Sequence, residues 1–185
     1  GTILKENMST EMEQAYREKL AEAVATGHAI LKAGGTSQDA VEQTIHVMEN
    51  SPLFNSGKGA VLTADESIAL DASFMDGKTL DAGAIAGVKH IKNPISAAIK
   101  VMNNSPHVML AGAGADQFAV EQGLDTVTES YFITERRLDA LKRVQEKEAN
   151  QKLSFNAVEE QYFKNQRFGT VGCVALDLQG NLAAG

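Results

Sequence analysis

Apolar positions in the early part of the chain repeat at helical spacing. Over residues 9–33, Met12, Tyr16, Leu20, Val24 and Leu31 form one stripe, the pattern of a long amphipathic helix. Thr10 with Glu13 three residues on reads as a capping box, and Gly34-Gly35 as the stop. Residues 37–49 repeat the pattern, with Val41, Ile45 and Met48 on one face and Ser37 as the cap. Then Pro52, Gly57 and Gly59 break regular structure. Past them the period shortens to that of strands. Residues 60–63, 67–74 and 80–88 read as short β runs, with a turn at Met75-Asp76-Gly77-Lys78. The small residues Ala82-Gly83-Ala84 predict close packing against another layer.

Helical signals return at Asn93-Pro94, with proline at the favoured first helical position, and run to about Asn103. Residues 107–111 read as a short strand, and Gly112-Ala113-Gly114 leads into a helix ending near Gln122. Residues 129–149 read as a charged helix with Leu138, Leu141 and Val144 inward. Residues 150–168 are polar without a period and read as a mobile linker. The chain closes on a β-hairpin, with strands around 170–177 and 182–184 and a turn at Leu178-Gln179-Gly180-Asn181. The first of these strands is apolar nearly throughout, which predicts a buried central strand. Helices and strands are grouped rather than alternating, so the pattern favours a layered α+β domain.

Composition narrows the function classes. The 185 residues suffice for one domain with a substantial core, burying about 70% of the unfolded surface. A net charge of −7 and a pI near 5.1 do not supply the basic face that nucleic acid requires. No run of ~18 apolar residues is present to span a membrane as a helix. With Cys173 the only cysteine, no intrachain disulfide can form, which fits a reducing compartment and a cytoplasmic location. No secretory pattern follows Gly1, and both ends read as cut points of a longer protein.

The strongest chemical candidate is Gly169-Thr170, where the polar linker meets the apolar strand. If the chain is cut there, Thr170 gains a free α-amine, whose reference pKa of about 7.7–8.0 lets it act as a base near neutrality. That amine sits beside the hydroxyl it would activate. The glycine before it can take strained backbone conformations. Taken alone, Gly-Thr before a strand is a weak signal, since threonine favours strands.

Other features carry less. Gly112-x-Gly114-x-Asp116 lacks the third glycine of a dinucleotide loop and reads as a tight strand-to-helix turn. Asp71, Asp76 and Asp81 alternate faces and do not converge as a carboxylate cluster. His28, His46, His90 and His107 have no metal-ligand spacing, and no G-x-S-x-G elbow supports a serine hydrolase. Cys173 reads as an inert strand thiol, and Glu135-Arg136-Arg137 with Lys142-Arg143 as a solvated helix face.

Several stretches in order resemble the plant-type asparaginase/isoaspartyl peptidase family. They are Ser51-Pro-Leu-Phe-Asn-Ser-Gly-Lys-Gly59, Leu70-Asp-Ala-Ser-Phe-Met-Asp-Gly77, Ala82-Gly-Ala-Ile-Ala-Gly-Val88, Asn93-Pro-Ile, Ser105-Pro-His-Val-Met109 and Gly169-Thr-Val-Gly-Cys-Val-Ala-Leu-Asp177. The resemblance implies a four-layer αββα Ntn-hydrolase sandwich. Residues 1–169 would be the α-subunit region and 170–185 the start of the β-subunit, in a single incomplete domain. It implies self-cleavage between Gly169 and Thr170, with Thr170 as catalytic nucleophile and Asn55 as its neighbour. The implied substrates are L-asparagine and β-aspartyl dipeptides, with release of aspartate.

The resemblance also implies a structural sodium ion, held by the backbone carbonyls of Met48, Glu49, Ser51, Phe54, Ser56 and Lys58. No catalytic cofactor is expected. The implied assembly is a homodimer of αβ heterodimers. Only the last residue of the family's His-Gly-Gly-Ala-Gly motif corresponds here, as Gly1. The substrate-gripping Arg and Asp and the oxyanion hole are expected beyond Gly185, in the remainder of the precursor. The related glycosylasparaginases usually begin the nucleophile strand Thr-Ile-Gly, whereas Thr170-Val171-Gly172 stands here. A non-catalytic, unprocessed homologue is the alternative from a different class.

Overall fold

The computed structural model describes residues 8–152 and 170–185, without the side chains of 148–152. Gly1, Gly169 and residues 153–168 of the expected linker lie outside the described residues, while 150–152 continue a helix.

Helix α1 is Thr10–Lys32 and α2 is Ser37–Glu49. Both start one residue earlier than their caps suggested from sequence. Ser9 and Thr36 are the extended N-cap residues, and their hydroxyls accept from the backbone N–H groups of Met12 and Asp39. Each true cap is followed by another hydroxyl residue, and only backbone conformation decides between the two. The α1 stripe also differs from expectation. Ala23 and Gly27 are buried against α2, whereas Val24 is 67% exposed and Leu20 43%. Small residues permit the close approach. A Cβ on Gly27 would lie 3.3 Å from the Ala40 carbonyl oxygen, besides colliding with the Thr44 side chain. On α2, Val41, Ile45 and Met48 are buried as the period predicts.

The sheet contains β1 (Leu70–Asp76), β2 (Ala82–Val88), β3 (Met109–Ala111), β4 (Val174–Leu176) and β5 (Leu182–Ala184), in the order β3-β2-β1-β5-β4. Only the β2–β3 pair is parallel. Residues 60–63 form no strand. Among the described strands β4 comes last in this order, with Val174 72% and Leu176 58% exposed. One face of β4 packs through buried Ala175, while Val174 and Leu176 face the other way.

Helices α2, α3 (Pro94–Asn104) and α4 (Gly112–Glu121) cover one face of the sheet. Phe74, Gly83, Ile85, Ala175 and Ala183 point toward them and are buried. Gly83 permits a very close approach of α3, because a Cβ there would sit 2.5 Å from the Met102 nitrogen. On the other face Ser73, Met75, Met109, Val174, Leu176 and Leu182 are exposed. The described residues thus form two layers, helices on sheet, of an α+β fold. A second buried cluster, around Leu62, Ile68, Val88, Ile91 and Phe132, anchors α5 (Glu135–Lys152) through half-buried Leu138 and Leu141. The charged helix expected from residue 129 starts later, after a 3-10 turn at Glu129–Tyr131.

Candidate active site

The loop from Asn50 to Gly59 follows the C-terminus of α2 and folds back onto it. Lys58 N–H donates to the Glu49 carbonyl at 2.7 Å. Gly57, at φ +49°, lies so close that a Cβ would be 3.0 Å from Glu49 Cα. Gly59, at φ +105°, is as close to the Pro52 backbone. These two positions require glycine both for backbone conformation and for room.

Asn55 sits near the tip of this loop. Its Oδ1 accepts from the Val61 N–H at 2.7 Å, and its Nδ2 has no partner among the described residues. A cavity of about 250 Å³ is lined by Asn55, Ser56, Gly57, Asp71, Pro94 and Thr170, among others. A larger cavity of about 580 Å³ adjoins it, lined by Glu49, Ser56, Asp71, Ser73, Met109, Thr170 and Gly185, among others. Thr170, Ser56 and Asp71 line both. Thr170 is exposed, and no described residue hydrogen-bonds to it. Its register follows from the hairpin: Cys173 and Gly185 exchange backbone hydrogen bonds of 3.0 Å just beyond the ends of β4 and β5.

Glu49 is the buried acid beneath this site. Its Oε1 accepts from the Ile95 N–H at 3.0 Å and its Oε2 from Asn93 Nδ2 at 2.9 Å. It caps the N-terminus of α3 from another helix, a role Asn93 leaves open by making no side-chain cap of its own. Burial pushes its carboxyl up to about 8, against the pull of those two donors. The sequence reading named only its carbonyl, because no local pattern reveals a cap supplied from 46 residues away.

The loop's hydrogen bonds occupy some of its carbonyls and leave others open. Those of Pro52, Leu53, Gly57 and Gly59 are taken, by Arg136, by Arg136 and Tyr16, by Ala60 N–H and by Arg137 respectively. Those of Ser51, Phe54, Ser56 and Lys58 accept no hydrogen bond from a described residue. Met48 and Glu49 each accept one loop N–H, from Ser51 and Lys58, leaving a second lone pair. The negative end of the α2 dipole points to the same place. An all-oxygen carbonyl set at a helix C-terminus suits a hard cation, and the residues fit one. Among the described residues no group of His, Cys, Asp or Glu side chains is arranged to hold a metal.

Of the other sequence candidates, Asp71 alone reaches the site, and its Oδ1 accepts from the Gly87 N–H at 2.8 Å. Asp76 serves its turn by accepting from the Lys78 N–H at 2.7 Å. Gly112 starts α4 at φ +55°, and Asp116 accepts from the N–H groups of Lys89 and His90, so this is a structural turn. His46, Ser96 and Glu42 form a polar link between α2 and α3, with Ser96 Oγ 2.7 Å from His46 Nε2 and 2.5 Å from Glu42 Oε1. They line neither cavity. Cys173 is half-buried, and desolvation pushes its thiol above the usual range, which fits an inert thiol. Glu135, Arg136, Lys142 and Arg143 are exposed, as a solvated face requires, yet Arg136 and half-buried Arg137 also donate to loop carbonyls.

No described helix is long and apolar enough to cross a membrane. The chain is 45% identical to the isoaspartyl peptidase of Escherichia coli (strain K12) over 184 residues, all of this chain and 56% of that protein. It is 46% identical to the isoaspartyl peptidase/L-asparaginase of Mus musculus over 177 residues, 96% of this chain and 52% of that protein. A putative isoaspartyl peptidase/L-asparaginase of Dictyostelium discoideum is 37% identical, with all of this chain and 60% of that protein covered. The chain therefore spans little more than half the length of these curated relatives. The family model described as asparaginase matches residues 1–185. With the ordered motifs from Ser51 to Asp177 and this full-length match, the chain belongs to the plant-type asparaginase/isoaspartyl peptidase family of the Ntn-hydrolase fold.

Proposed function

We propose that this chain is the first part of a threonine hydrolase that cuts itself before Thr170 and then hydrolyses L-asparagine and β-aspartyl dipeptides. One observation carries the reading: Thr170 is exposed and unbonded at the meeting of two cavities, with Asn55 lining one of them. The names of the relatives supply the substrate class.

In self-cleavage the Thr170 hydroxyl oxygen attacks the Gly169 carbonyl carbon. The C–N bond breaks as the leaving nitrogen takes the hydroxyl proton to become the free α-amine, and water hydrolyses the resulting ester to leave a Gly169 carboxylate. The new α-amine then takes the proton from the Thr170 hydroxyl as it attacks a substrate's side-chain amide carbon. Ammonia or an amine departs with that proton, and water releases aspartate from the acyl-enzyme. Asn55 Nδ2 supplies a hydrogen-bond donor beside the reacting oxygen.

On this reading residues 1–169 form the α-subunit and Thr170 opens the β-subunit. The rest of the precursor supplies the substrate grip and the oxyanion hole, each donor of which is worth ~10²–10³ in rate. Two αβ units pair. A sodium ion would be held by the carbonyls of Met48, Glu49, Ser51, Phe54, Ser56 and Lys58, and it would fix the loop's shape. The lone cysteine supports a cytoplasmic setting.

The test is the intact mass of the full-length gene product, with Thr170→Ala beside it. Separate chains split between Gly169 and Thr170, absent from the variant, are expected. A precursor that stays uncut would favour the non-catalytic alternative. Assays on β-aspartyl-leucine and a glycosyl-asparagine then separate the two substrate classes.

A further inference from the structure

The Arg136-Arg137 pair plays no part in the chemistry above, yet its contacts are specific. Arg136 Nη2 donates to the carbonyls of Pro52 and Leu53, both at 2.8 Å, and Nη1 donates to the Tyr16 hydroxyl at 3.1 Å. The Tyr16 hydroxyl in turn donates to Leu53 at 2.6 Å. Arg137 Nε donates to the Gly59 carbonyl at 2.6 Å. Just upstream, the Phe132 carbonyl accepts from the Gly59 N–H at 3.0 Å. The start of α5 thus grips both ends of the segment 52–59. Asn55 and the free carbonyls of Phe54, Ser56 and Lys58 lie between the two grips.

Between the grips the loop is anchored by buried Phe54, edge-on to the Tyr16 ring, and by Lys58 over the Tyr131 ring. It contains no helix or strand, and its own bonds are few: Leu53 N–H to Ser51 Oγ, Lys58 N–H to Glu49, Ala60 N–H to Gly57 and Val61 N–H to Asn55. Charge-assisted bonds from a planar guanidinium are strong and directional. They span about 80 residues of sequence, so they set tertiary rather than local shape. Helix α5 is also the last described element before Thr170 along the chain.

We propose that Arg136 and Arg137 are positioning residues, a clamp on α5 that holds the segment 52–59 so that Asn55 faces the Thr170 cavity. This rests on the reading of Thr170 as nucleophile. The clamp acts through the loop and touches no substrate. It couples the helix that leads toward the scissile junction to the loop that serves the reaction there.

The test uses the full-length precursor with Arg136→Ala, Arg137→Ala and the corresponding lysine variants. Two quantities are followed below the melting range of every variant: the rate of chain separation before Thr170, and hydrogen exchange at the Lys58 and Val61 amides. Each alanine variant should slow cutting by about 10-fold or more, since small misplacements of reacting groups cost that much. Exchange at Lys58 and Val61 should quicken while core amides of α2 stay protected. Lysine should restore cutting only in part, because it lacks the fork, and methylguanidinium should partly rescue Arg137→Ala. A role in bulk stability alone would lower the melting temperature and leave both quantities unchanged in folded protein, and that result overturns the clamp. If an alanine variant does not fold, the lysine variants carry the same comparison. An uncut wild-type precursor would count against Thr170 instead, and loop exchange then judges the clamp by itself.

Discussion

At the scale of single residues, Thr170 and Asn55 can be tested separately. Thr170→Ser keeps a hydroxyl and should still cut, more slowly, whereas Thr170→Ala should not cut at all; intact mass distinguishes them. Asn55 does two jobs with two atoms. Its Oδ1 holds the Val61 N–H, and its Nδ2 is free to donate. Asn55→Ala should cost about 1–3 kcal/mol by leaving that part-buried N–H unpaired. Asn55→Asp keeps the acceptor and loses the donor, so it should keep the wild-type urea midpoint and yet cut at least ~10-fold more slowly. Equal cutting rates for Asn55→Asp and wild type would remove Asn55 from the chemistry. The sequence pointed to Thr170 and Asn55 through the family motifs. It could not show which atom of Asn55 was already committed, since its partner Val61 is six positions away across a loop.

At the scale of elements, two packing devices make sharp predictions. Gly83 lets α3 lie almost on β2, and an added Cβ would collide with the Ala98 carbonyl and the Met102 backbone. Backbone cannot swing aside as a side chain does, so Gly83→Ala should destabilise by about 1–3 kcal/mol or more, read as a lower urea midpoint. The second device ties the β4–β5 turn to α2. Buried Asp177 accepts from the N–H groups of Asn181 at 2.9 Å and Gln179 at 3.0 Å, and from Ser37 in the first turn of α2 at 3.2 Å. The Asn181 backbone bond is the main cause that holds its pKa below the usual aspartate value, with the Ser37 bond adding to it. A depressed pKa means stability present above the unfolded value and lost as pH falls through the folded one. Urea midpoints should therefore fall on acidification below the ordinary aspartate range, and Asp177→Asn should fall less. Helix existence was legible here from period alone. Starts were not, because Ser9-Thr10 and Thr36-Ser37 each offer two capping hydroxyls.

At the scale of the whole molecule, the open sheet face dominates. Met75, Met109, Val174, Leu176 and Leu182 expose apolar surface on one side of a sheet whose other side is covered by helices. An αββα sandwich stacks a second sheet there, and the described residues supply one sheet and one helical layer. Exposed apolar area of this kind favours association. The 185-residue chain by itself should sediment as more than a monomer, and Val174→Lys with Leu182→Lys should shift it toward monomer without unfolding it. A chain that sediments as a monomer before substitution would contradict this account of the face.

The sequence by itself determined the helices, the hairpin, the breaks between them and the motif residues of the family, because these rest on neighbours a few positions apart. Apolar runs at 174–176 and 182–184 even fixed that two strands would form. Only the tertiary structure decided that Glu49 caps α3 and that Arg136 and Arg137 grip the loop beside Thr170. Each of these depends on groups brought together from distant parts of the chain. An arginine on a solvated helix and an arginine clamping a carbonyl look alike in sequence, and the difference lies in what the fold places within 3 Å of the guanidinium.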